Sequence, residues 1–369
     1  MKYYLIAGEA SGDLHGANLM KHIKLLDTQA EFRFWGGDLM LAEGGILVNH
    51  YRERAFMGIT EVLKNIGKIL GFMKLCKQDL LEFQPDALIL IDYPGFNLKI
   101  AKFATSHQIK VHYYISPKVW AWNTSRVHKI KRDVKYMYTI LPFETNFYKR
   151  YGMSVDYVGN PICDAIHQYP FKPHFKTEHQ FQKPVIALLP GSRLAEIKYV
   201  LPSMLSVVNQ FPNYEFILAG TNAIDDATYA SYLKDTPIRI IKNETYDVLA
   251  NAHAALVCSG TATLETALIE CPQVVCYRFS NLSYQIGKRV IKIPFISLVN
   301  LIMDKKIVSE LIQDELSTDN IIKELEQIIE GEGRTKMLHS YKALKIKVGE
   351  FGASQRAAQL IVKRTSSKN

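Results

Sequence analysis

Residues 3–16 read Tyr-Tyr-Leu-Ile-Ala-Gly-Glu-Ala-Ser-Gly-Asp-Leu-His-Gly, an apolar run followed by a glycine-bearing loop and the start of a helical pattern. Two glycines allow the backbone to turn tightly and to approach a ligand before the helix begins. The loop matches neither the GxGxxG fingerprint nor the GxxxxGKS/T phosphate loop, so it gives little support to a dinucleotide or ATP site. The stretch predicts a first core strand that leads into a parallel α/β fold.

Four polar side chains crowd the end of this first strand, namely Glu9, Ser11, Asp13 and His15. Helix capping by Ser11 or Asp13 would explain one of them. It would not explain the others, and functional residues are common on loops that a rigid scaffold positions. We therefore interpret the four residues as part of a loop that faces the acceptor or the cleft between domains.

The same change from strand to helix recurs along the chain in two series. Strands are predicted at residues 3–7, 32–35, 87–91, 111–115, 136–140 and 155–158, and again at 185–189, 216–219, 239–241, 254–258 and 274–277. The stretch between the two series is rich in His, Gln, Lys and Pro, which is typical of a linker. Alternating strands and helices form parallel sheets that are covered by helices on both faces.

These patterns predict an α/β protein with two Rossmann-like, doubly wound domains, because 369 residues exceed what one hydrophobic core usually holds. The predicted parts are an N-terminal domain over residues 1–165, a linker over 166–183, a C-terminal domain over 184–340 and a C-terminal helix over 341–369. Packing of that helix back on the N-terminal domain is one option. Ligands of such folds bind beyond the carboxyl ends of the strands, here in an inter-domain cleft.

Composition indicates the class of protein but not its partner. Hydrophobic residues make up 48% of the chain and charged residues 22%, as in ordinary globular proteins. No run reaches the roughly 18–20 apolar residues of a membrane-spanning helix, and no signal peptide is recognised, so we expect a cytoplasmic protein. Five cysteines without CxxC spacing are predicted to be buried core residues. The net charge of +9 attracts anions of any kind.

An acid directly follows an apolar strand in residues 89–97, Ile-Leu-Ile-Asp-Tyr-Pro-Gly-Phe-Asn. Asp92, at the carboxyl end of such a strand, is well placed for general base catalysis. A turn-stabilising or capping Asp would give the same pattern, and spacing alone leaves both options open. The next strand is followed by Lys118 and Trp120, which suit a phosphate and a sugar or acyl chain, with an aromatic packing loop as the alternative.

Two loops in the second half are predicted to bind a diphosphate. In residues 188–193, Gly191 and Ser192 offer backbone N–H groups and Arg193 offers a guanidinium. In a second loop, small polar residues begin a helix and a carboxylate follows; this group is Ser259, Gly260, Thr261 and Glu265. A capped helix without a ligand would explain either loop alone. The sequence contains no DxD or HExxH motif, so we expect no metal.

Seven motifs occur in one order: AGEASGDLHGA at 7–17, FMGITEVL at 56–63, SPKVWAW at 116–122, LPFE at 141–144, VGNP at 158–161, LLPGSR at 188–193 and SGTATLE at 259–265. With them the chain resembles the lipid-A-disaccharide synthase family nearly end to end. The resemblance implies a GT-B fold and inverting transfer of diacylglucosamine from UDP-2,3-diacylglucosamine to 2,3-diacylglucosamine 1-phosphate (lipid X), through a β-1,6 linkage. We expect no cofactor, and peripheral association with the inner face of the inner membrane.

The resemblance also assigns residues. The acid of the family's IDxPxFN segment is Asp92, the arginine of LPGSR is Arg193 and the asparagine of SLPNL is Asn300. The family often carries Asp where this chain has Gly95, which leaves the role of base to Asp92. The usual proline before the late asparagine is Val299 here.

Two other functions compete with this interpretation. Another GT-B UDP-sugar transferase or an epimerase would share the fold and the phosphate loops, and the motifs of the first half separate the synthase family from it. An RNA-binding protein could use the positive charge. The sequence has no RGG run or RNP motif and its basic residues are scattered, so we expect no nucleic acid. The oligomeric state stays open, with a homodimer as one option.

Residues 62–75 are predicted to contact the membrane. On a helix, apolar residues of this segment form one stripe, and lysines lie outside it where they could meet anionic headgroups. The predicted contacts are Leu63, Lys64, Lys68 and Phe72, with residues 288–295 as a second candidate. A core helix that packs on the sheet is the commoner fate of such a stripe. Apolar residues beyond the stripe, including Leu75, favour the membrane.

Overall fold

The computed structural model describes residues 1–54, 66–233, 236–258, 260–280, 284–285 and 293–367. The chain divides into two compact units, one of Met1–Asp164 with Phe351–Asn369 and one of Ala165–Glu350. Each unit contains a parallel sheet and helices, so the predicted α/β class with two Rossmann-like domains is confirmed. No helix of the described residues is long and apolar enough to cross a membrane.

Two parallel sheets form the centres of the units. The strands of the first are β1 (Lys2–Ala7), β2 (Glu31–Gly36), β3 (Ile46–His50), β4 (Ala87–Ile91), β5 (Lys110–Tyr114), β6 (Tyr136–Thr139) and β7 (Asp156–Tyr157). Those of the second are β8 (Val185–Leu189), β9 (Glu215–Gly220), β10 (Arg239–Lys242), β11 (Ala252–Val257), β12 (Gln273–Tyr277) and β13 (Ser309–Ile312). Their spatial orders are β3-β2-β1-β4-β5-β6-β7 and β10-β9-β8-β11-β12-β13.

Helices connect the strands throughout the described residues. The first half contains α1 (Ala10–Leu26), α2 (Asp38–Ala42), α3 (Ile66–Phe83), α4 (Pro94–Ser106), α5 (Val119–Trp122), α6 (Arg126–Asp133), α7 (Glu144–Lys149) and α8 (Pro161–Gln168). The second contains α9 (Phe175–Glu178), α10 (Leu194–Leu205), α11 (Asp226–Leu233), α12 (Thr245–Asn251), α13 (Gly260–Leu268), α14 (Leu298–Met303), α15 (Thr318–Ile329), α16 (Gly331–Val348) and α17 (Ala353–Ser366). Short 3-10 helices lie at Tyr51–Arg54, Val208–Gln210 and Gln313–Glu315.

The first sheet separates two hydrophobic cores. Side chains alternate along a strand, so Tyr4 and Leu90 enter one core while Leu5 and Ile89 enter the other. Helices cover both faces, and each central strand is therefore buried on both sides. This explains why the central strands are continuous apolar runs in the sequence.

Residues 166–183, predicted to be a linker, belong to the second unit. Phe175 on α9 is fully buried in a core of that unit. The Tyr169 hydroxyl donates to Asp247 at 2.6 Å in the same unit. Aromatic side chains dispersed in a polar stretch thus give this segment packing partners that its overall polarity does not indicate.

The end of the chain is shared between the units. Helix α16 lies in the second unit, whereas α17 belongs to the first. Ala357, Ala358 and Ile361 of α17 are buried in the core that also contains Leu19 of α1. Small side chains allow two helices to approach closely, so this pair of alanines suits α17 to pack against α1.

Candidate active site

Four of the five predicted motif loops follow strands at which the order of a sheet reverses, and the fifth follows β5, which is next to β4. In the first unit the order reverses between β1 and β4, and the loops after these strands carry residues 8–16 and 92–97. In the second unit it reverses between β8 and β11, whose loops carry residues 190–193 and the start of α13. In open α/β sheets, ligands bind at such switch points, beyond the carboxyl ends of the strands.

Asp92 takes an uncommon backbone conformation at the end of β4. Its φ angle is 43° and that of Tyr93 is 48°, in the left-handed region that residues other than glycine rarely adopt. The Asp92 carbonyl accepts from the Asn97 amide at 2.8 Å and from the Tyr113 hydroxyl at 2.5 Å. The Asp92 N–H donates to the Tyr114 carbonyl at 3.1 Å. Strain of this kind persists where surrounding bonds impose it, and it clusters at functional sites.

The carboxyl group of Asp92 is largely withdrawn from water. Burial raises the pKa of Asp92 to about 6, the Lys118 ammonium acts in the opposite direction, and Glu9 adds a smaller rise. A Cβ atom at Gly8 would overlap the ring of Tyr93, so glycine is needed where the loop after β1 meets the loop after β4. The structure thus brings three predicted site residues together at the carboxyl ends of β1, β4 and β5.

The segment after β5 contains another strained residue. This segment, residues 115–122, includes the short helix α5 and is called the loop after β5 below. Ile115 has a φ angle of 66°, which is an outlier for a β-branched side chain. Its N–H donates to the Tyr138 carbonyl at 3.1 Å. Further along, Lys118 is exposed, whereas Trp120 is half-buried and its indole N–H donates to Glu144 Oε1 at 3.1 Å. The loop therefore presents an exposed charge and a bonded aromatic ring.

Asp13 has a structural role in place of the predicted contact with substrate. Its buried carboxylate accepts from the backbone N–H of Gly37 at 2.7 Å. It also accepts from the N–H groups of Leu39 and Met40, both at 3.1 Å. These three bonds satisfy N–H groups at the start of α2, which have no partner within the helix. Asp13 therefore caps α2 and not α1, the helix that the simpler explanation from sequence had it cap.

The other polar residues of the loop after β1 remain available. Glu9 and Ser11 are exposed at the start of α1. The Nδ1 atom of His15 is buried without a hydrogen-bond partner, and burial lowers the pKa of His15 to about 4. The imidazole is therefore neutral at pH 7 and can act as a hydrogen-bonding group but not as a cation.

In the second unit, the Glu196 carboxylate bonds to part of the loop predicted to bind diphosphate. Gly191 has a φ angle of 105°, which suits glycine. Glu196 Oε2 accepts from the N–H of Ser192 at 2.9 Å and from that of Arg193 at 3.2 Å. Of the two N–H groups predicted to bind phosphate, those of Gly191 and Ser192, the one on Ser192 is therefore already bonded to Glu196. The Arg193 side chain is 69% exposed and lies 3.7 Å from Glu196 Oε1, so its guanidinium still faces solvent.

Helix α13 carries the second predicted diphosphate loop. Ser259 lies outside the described residues, Gly260 begins the helix and Thr261 is exposed. Glu265 Oε1 accepts from the Tyr246 hydroxyl at 2.8 Å, and burial raises the pKa of Glu265. The tyrosine thereby fixes the orientation of a carboxyl group that lies one turn beyond the helix start.

The side chain of Asn300 is not available to the UDP-sugar donor, because its amide group is fully hydrogen-bonded within the second unit. The Nδ2 atom donates to the Val308 carbonyl at 2.9 Å and to Glu310 Oε1 at 2.8 Å. The Oδ1 atom accepts from the N–H of Ile307 at 2.7 Å and from that of Val308 at 3.0 Å. The side chain is completely buried. Asn300 therefore shapes the loop before β13, which corrects its predicted role in binding UDP directly.

Helix α3 divides its apolar residues between the core and the solvent. The ring of Phe72, predicted to contact the membrane, packs edge-on against Trp35 with centroids 6.3 Å apart, so it belongs to the core side. Lys68 is exposed, as are Leu70 (61%) and Leu75 (44%). The predicted contacts Leu63 and Lys64 lie outside the described residues.

Three carboxylates that bond the site loops escaped prediction. Glu196 follows Arg193 by three residues at the start of a helical pattern, which is the spacing of a capping box and could have revealed it. Glu144 lies within the quoted LPFE motif. Glu310 has no local signal, because its partners, among them Ser297, come from ten or more residues away.

Solved structures share this fold. UDP-GlcNAc 2-epimerase from Neisseria meningitidis bound to UDP-GlcNAc superposes with a TM-score of 0.65 at 14% identity, over 99% of both chains. MurG from Acinetobacter baumannii superposes with a TM-score of 0.59 at 13% identity, over 98% of this chain and 99% of its own. At these identities the likeness shows the fold alone. That fold is GT-B, the class of UDP-sugar glycosyltransferases and epimerases with two Rossmann-like domains.

Sequence comparison gives the family within this class. The profile of lipid-A-disaccharide synthetase matches residues 3–363. The lipid-A-disaccharide synthases of Myxococcus xanthus and Geobacter sulfurreducens are each 37% identical to this chain, over 97% of it and 96% of their own length. The chain belongs to the lipid-A-disaccharide synthase family, and its activity is that of a glycosyltransferase. The alternative of an epimerase is not favoured.

Proposed function

We propose that this chain transfers diacylglucosamine from UDP-2,3-diacylglucosamine to the 6-hydroxyl of lipid X, forming a β-1,6-linked disaccharide 1-phosphate and UDP. The observation that carries the proposal is the carboxyl group of Asp92, in a strained turn at the switch point of the first sheet, with a pKa raised to about 6 by burial. Such a group is ionised at neutral pH and is a stronger base than an exposed Asp.

The reaction needs one base and one displacement. Asp92 accepts the proton of the acceptor hydroxyl as its oxygen attacks the anomeric carbon. The bond from that carbon to the diphosphate of UDP breaks in the same step, which inverts the anomeric centre without a covalent enzyme intermediate. Lys118 supplies a positive charge close to Asp92 that suits the phosphate of lipid X, and Trp120 offers an aromatic surface for its sugar or acyl chains.

We assign the donor to the second unit. The exposed guanidinium of Arg193 would stabilise the diphosphate as it leaves, and the N-terminus of α13 at Gly260 adds the positive end of a helix dipole. Glu265, oriented by Tyr246, would bind a hydroxyl group of the ribose. Among the described residues no group of three or more His, Cys, Asp or Glu side chains could hold a metal ion. We propose a metal-independent reaction because the sequence contains no DxD motif.

We also propose that α3 associates peripherally with the inner face of the inner membrane. Both substrates carry acyl chains, so the enzyme must collect them from a lipid surface. The exposed Leu70 and Leu75 would enter the interface, and Lys68 and Lys74 would meet anionic headgroups. This set replaces Phe72, whose ring packs on the core.

The test is identification of the product. Purified protein is incubated with UDP-2,3-diacylglucosamine and lipid X in EDTA, and the product is analysed by mass spectrometry and by NMR of the new linkage. We expect a disaccharide 1-phosphate with a β-1,6 bond, in yield unchanged by EDTA. A 2-epimerised UDP-sugar in place of a disaccharide would overturn the proposal in favour of an epimerase, and loss of yield in EDTA would overturn metal independence.

A further inference from the structure

The buried carboxyl group of Glu144 lies at the start of α7 and accepts three N–H bonds. Its Oε1 accepts from the Trp120 indole at 3.1 Å. Its Oε2 accepts from the backbone N–H groups of Ile140 at 3.2 Å and Leu141 at 3.0 Å. Because every one of these partners is a donor, the surroundings require the two acceptor oxygens of a carboxylate. Burial raises the pKa of Glu144 to about 7, and the N–H bonds act in the opposite direction.

A second side chain of α7 bonds the other end of the loop after β5. The Tyr148 hydroxyl, one helical turn after Glu144, lies 2.7 Å from Ser116 Oγ, and both residues are buried. The loop is therefore bonded to α7 at both ends. Lys118 lies midway between these two bonded positions. Its ammonium is the charge that acts to lower the pKa of Asp92.

We propose that Glu144 is a positioning residue for the glycosyl transfer. Its bond to Trp120 fixes the loop after β5, and through that loop it fixes Lys118 beside the base. The proposal rests on the base role assigned to Asp92 above, and Glu144 itself does not contact substrate. Loss of its acceptor oxygens should disturb the acceptor side of the reaction and leave UDP binding by the second unit unchanged.

Two substitutions test the effect of the acceptor oxygens of Glu144 separately from the effect of its side-chain volume. Glu144→Gln keeps the volume but replaces one oxygen by an NH2 donor, which must face either the Trp120 indole or the two backbone N–H groups. At least one of the three bonds is therefore lost. Glu144→Asp keeps both oxygens but places them on a shorter side chain. If Glu144→Gln does not fold, the same measurements are made on Glu144→Asp. Trp122→Phe is the matched control, because Trp122 is an exposed tryptophan of the same loop.

Fluorine NMR of protein labelled with 5-fluorotryptophan reports on the loop without reference to activity. The Trp120 resonance is assigned by its absence in Trp120→Phe. We expect Glu144→Gln to shift this resonance and to leave that of Trp35 in place, because the Trp35 indole donates to the Tyr4 hydroxyl at 2.7 Å in the core. A Trp120 resonance that does not move in Glu144→Gln overturns the proposal.

Kinetics test the consequence for the reaction. We expect kcat/KM for lipid X to fall about 10–100-fold in Glu144→Gln, as for a small misplacement of site groups, with the Kd for UDP unchanged. The acid limb of the pH profile should move upward, because a displaced Lys118 no longer lowers the pKa of Asp92 while Glu9 still raises it. Wild-type kcat/KM with an unmoved acid limb overturns the proposal.

The two proposals fail in distinguishable ways. If Asp92→Asn keeps full turnover while Glu144→Gln still shifts the Trp120 resonance, the base assignment fails and the dependence of the loop on Glu144 stands. If Asp92→Asn is inactive while Glu144→Gln matches Trp122→Phe in both measurements, the base assignment stands and the positioning role fails.

Discussion

At the switch point of the first sheet, residues with side chains adopt left-handed backbone conformations, whereas at that of the second sheet a glycine does so. Asp92 and Tyr93, which follow β4, have φ angles of 43° and 48°, and Gly191, which follows β8, has a φ angle of 105°. A residue with a Cβ atom in this region costs about 1–3 kcal/mol, and glycine adopts it with little strain. The first unit therefore stores strain at its candidate site, and the loop of the second does not.

The functional side chains of the two sites differ in how firmly they are held. Asp92 is largely buried and its backbone is fixed by hydrogen bonds, whereas the Arg193 guanidinium is 69% exposed. A base must lie within hydrogen-bond reach of one proton, so its position has to be fixed. A long cationic side chain can follow a diphosphate as it leaves. Substitutions in the first unit should therefore lower turnover, and those in the second should lower affinity for the donor.

The largest effect is expected for Asp92→Asn. Asn removes the proton acceptor at constant size, and it is one of the few residues that tolerate the left-handed region. We expect kcat to fall about 10²–10⁴-fold, with the Kd for UDP unchanged. Initial rates with saturating substrates measure the first quantity, and calorimetry the second. Near-normal turnover in the folded variant would remove Asp92 from the mechanism.

Arg193→Ala should show the opposite pattern. A lost charge-assisted bond costs about 1.5–3 kcal/mol, which corresponds to roughly 10–100-fold weaker UDP binding. The N–H bonds of the loop to Glu196 do not involve the guanidinium, so the fold should be spared. Arg193→Lys is the matched variant, since it keeps the charge without the planar fork. An unchanged Kd for UDP in calorimetry would contradict the assignment of donor binding to Arg193 and the second unit.

The buried carboxyl group of Asp92 should also make the free energy of unfolding depend on pH. The pKa of Asp92 is raised from 3.8 to about 6, so the unfolded chain loses this proton first as the pH rises. The group therefore stabilises the fold below about pH 4, and this contribution is lost as the pH rises through about 6. Asp92→Asn cannot ionise, so it should exceed wild type in unfolding free energy by about 1–3 kcal/mol at pH 8.

Urea unfolding of both proteins at pH 4 and pH 8 measures this difference. The advantage of Asp92→Asn should be present at pH 8 and should shrink toward zero at pH 4. Glu9→Gln provides a control for long-range charge, because Glu9 is exposed and contributes only a smaller rise to the pKa of Asp92. An equal difference at both pH values would mean that the Asp92 carboxyl is not buried as described.

Much of the fold follows from local sequence. Central strands such as β4 and β8 are uninterrupted apolar runs with a proline within three residues of each end, and a predicted site loop follows each of these two strands. Strands β3 and β13 are absent from the prediction, because their apolar runs are short and polar residues such as Asn49 and Glu310 stand within them.

The bonding of the site depends on contacts that local sequence cannot encode. Asp13 and Asn300 are polar residues in or near predicted motifs, and each resembles a ligand-binding residue in sequence. Their partners lie between 7 and 27 residues away along the chain and become neighbours only when the chain packs, whereas Glu196 bonds N–H groups three and four residues before it. Buried polar groups must be paired, so tertiary packing decides which polar residues remain available for substrate.

The smallest effect concerns which unit contacts the membrane. If α3 is the contact, then Lys68→Glu together with Leu70→Ser and Leu75→Ser should reduce co-sedimentation with anionic vesicles, at about 1 kcal/mol for a lysine near the surface. Binding by wild type should weaken with salt, since this attraction is screened. The matched control is Lys21→Glu, an equal change of charge at an exposed position of α1. Wild-type sedimentation by the α3 variant would place the contact elsewhere, with residues 288–295 of the second unit as the next segment to change.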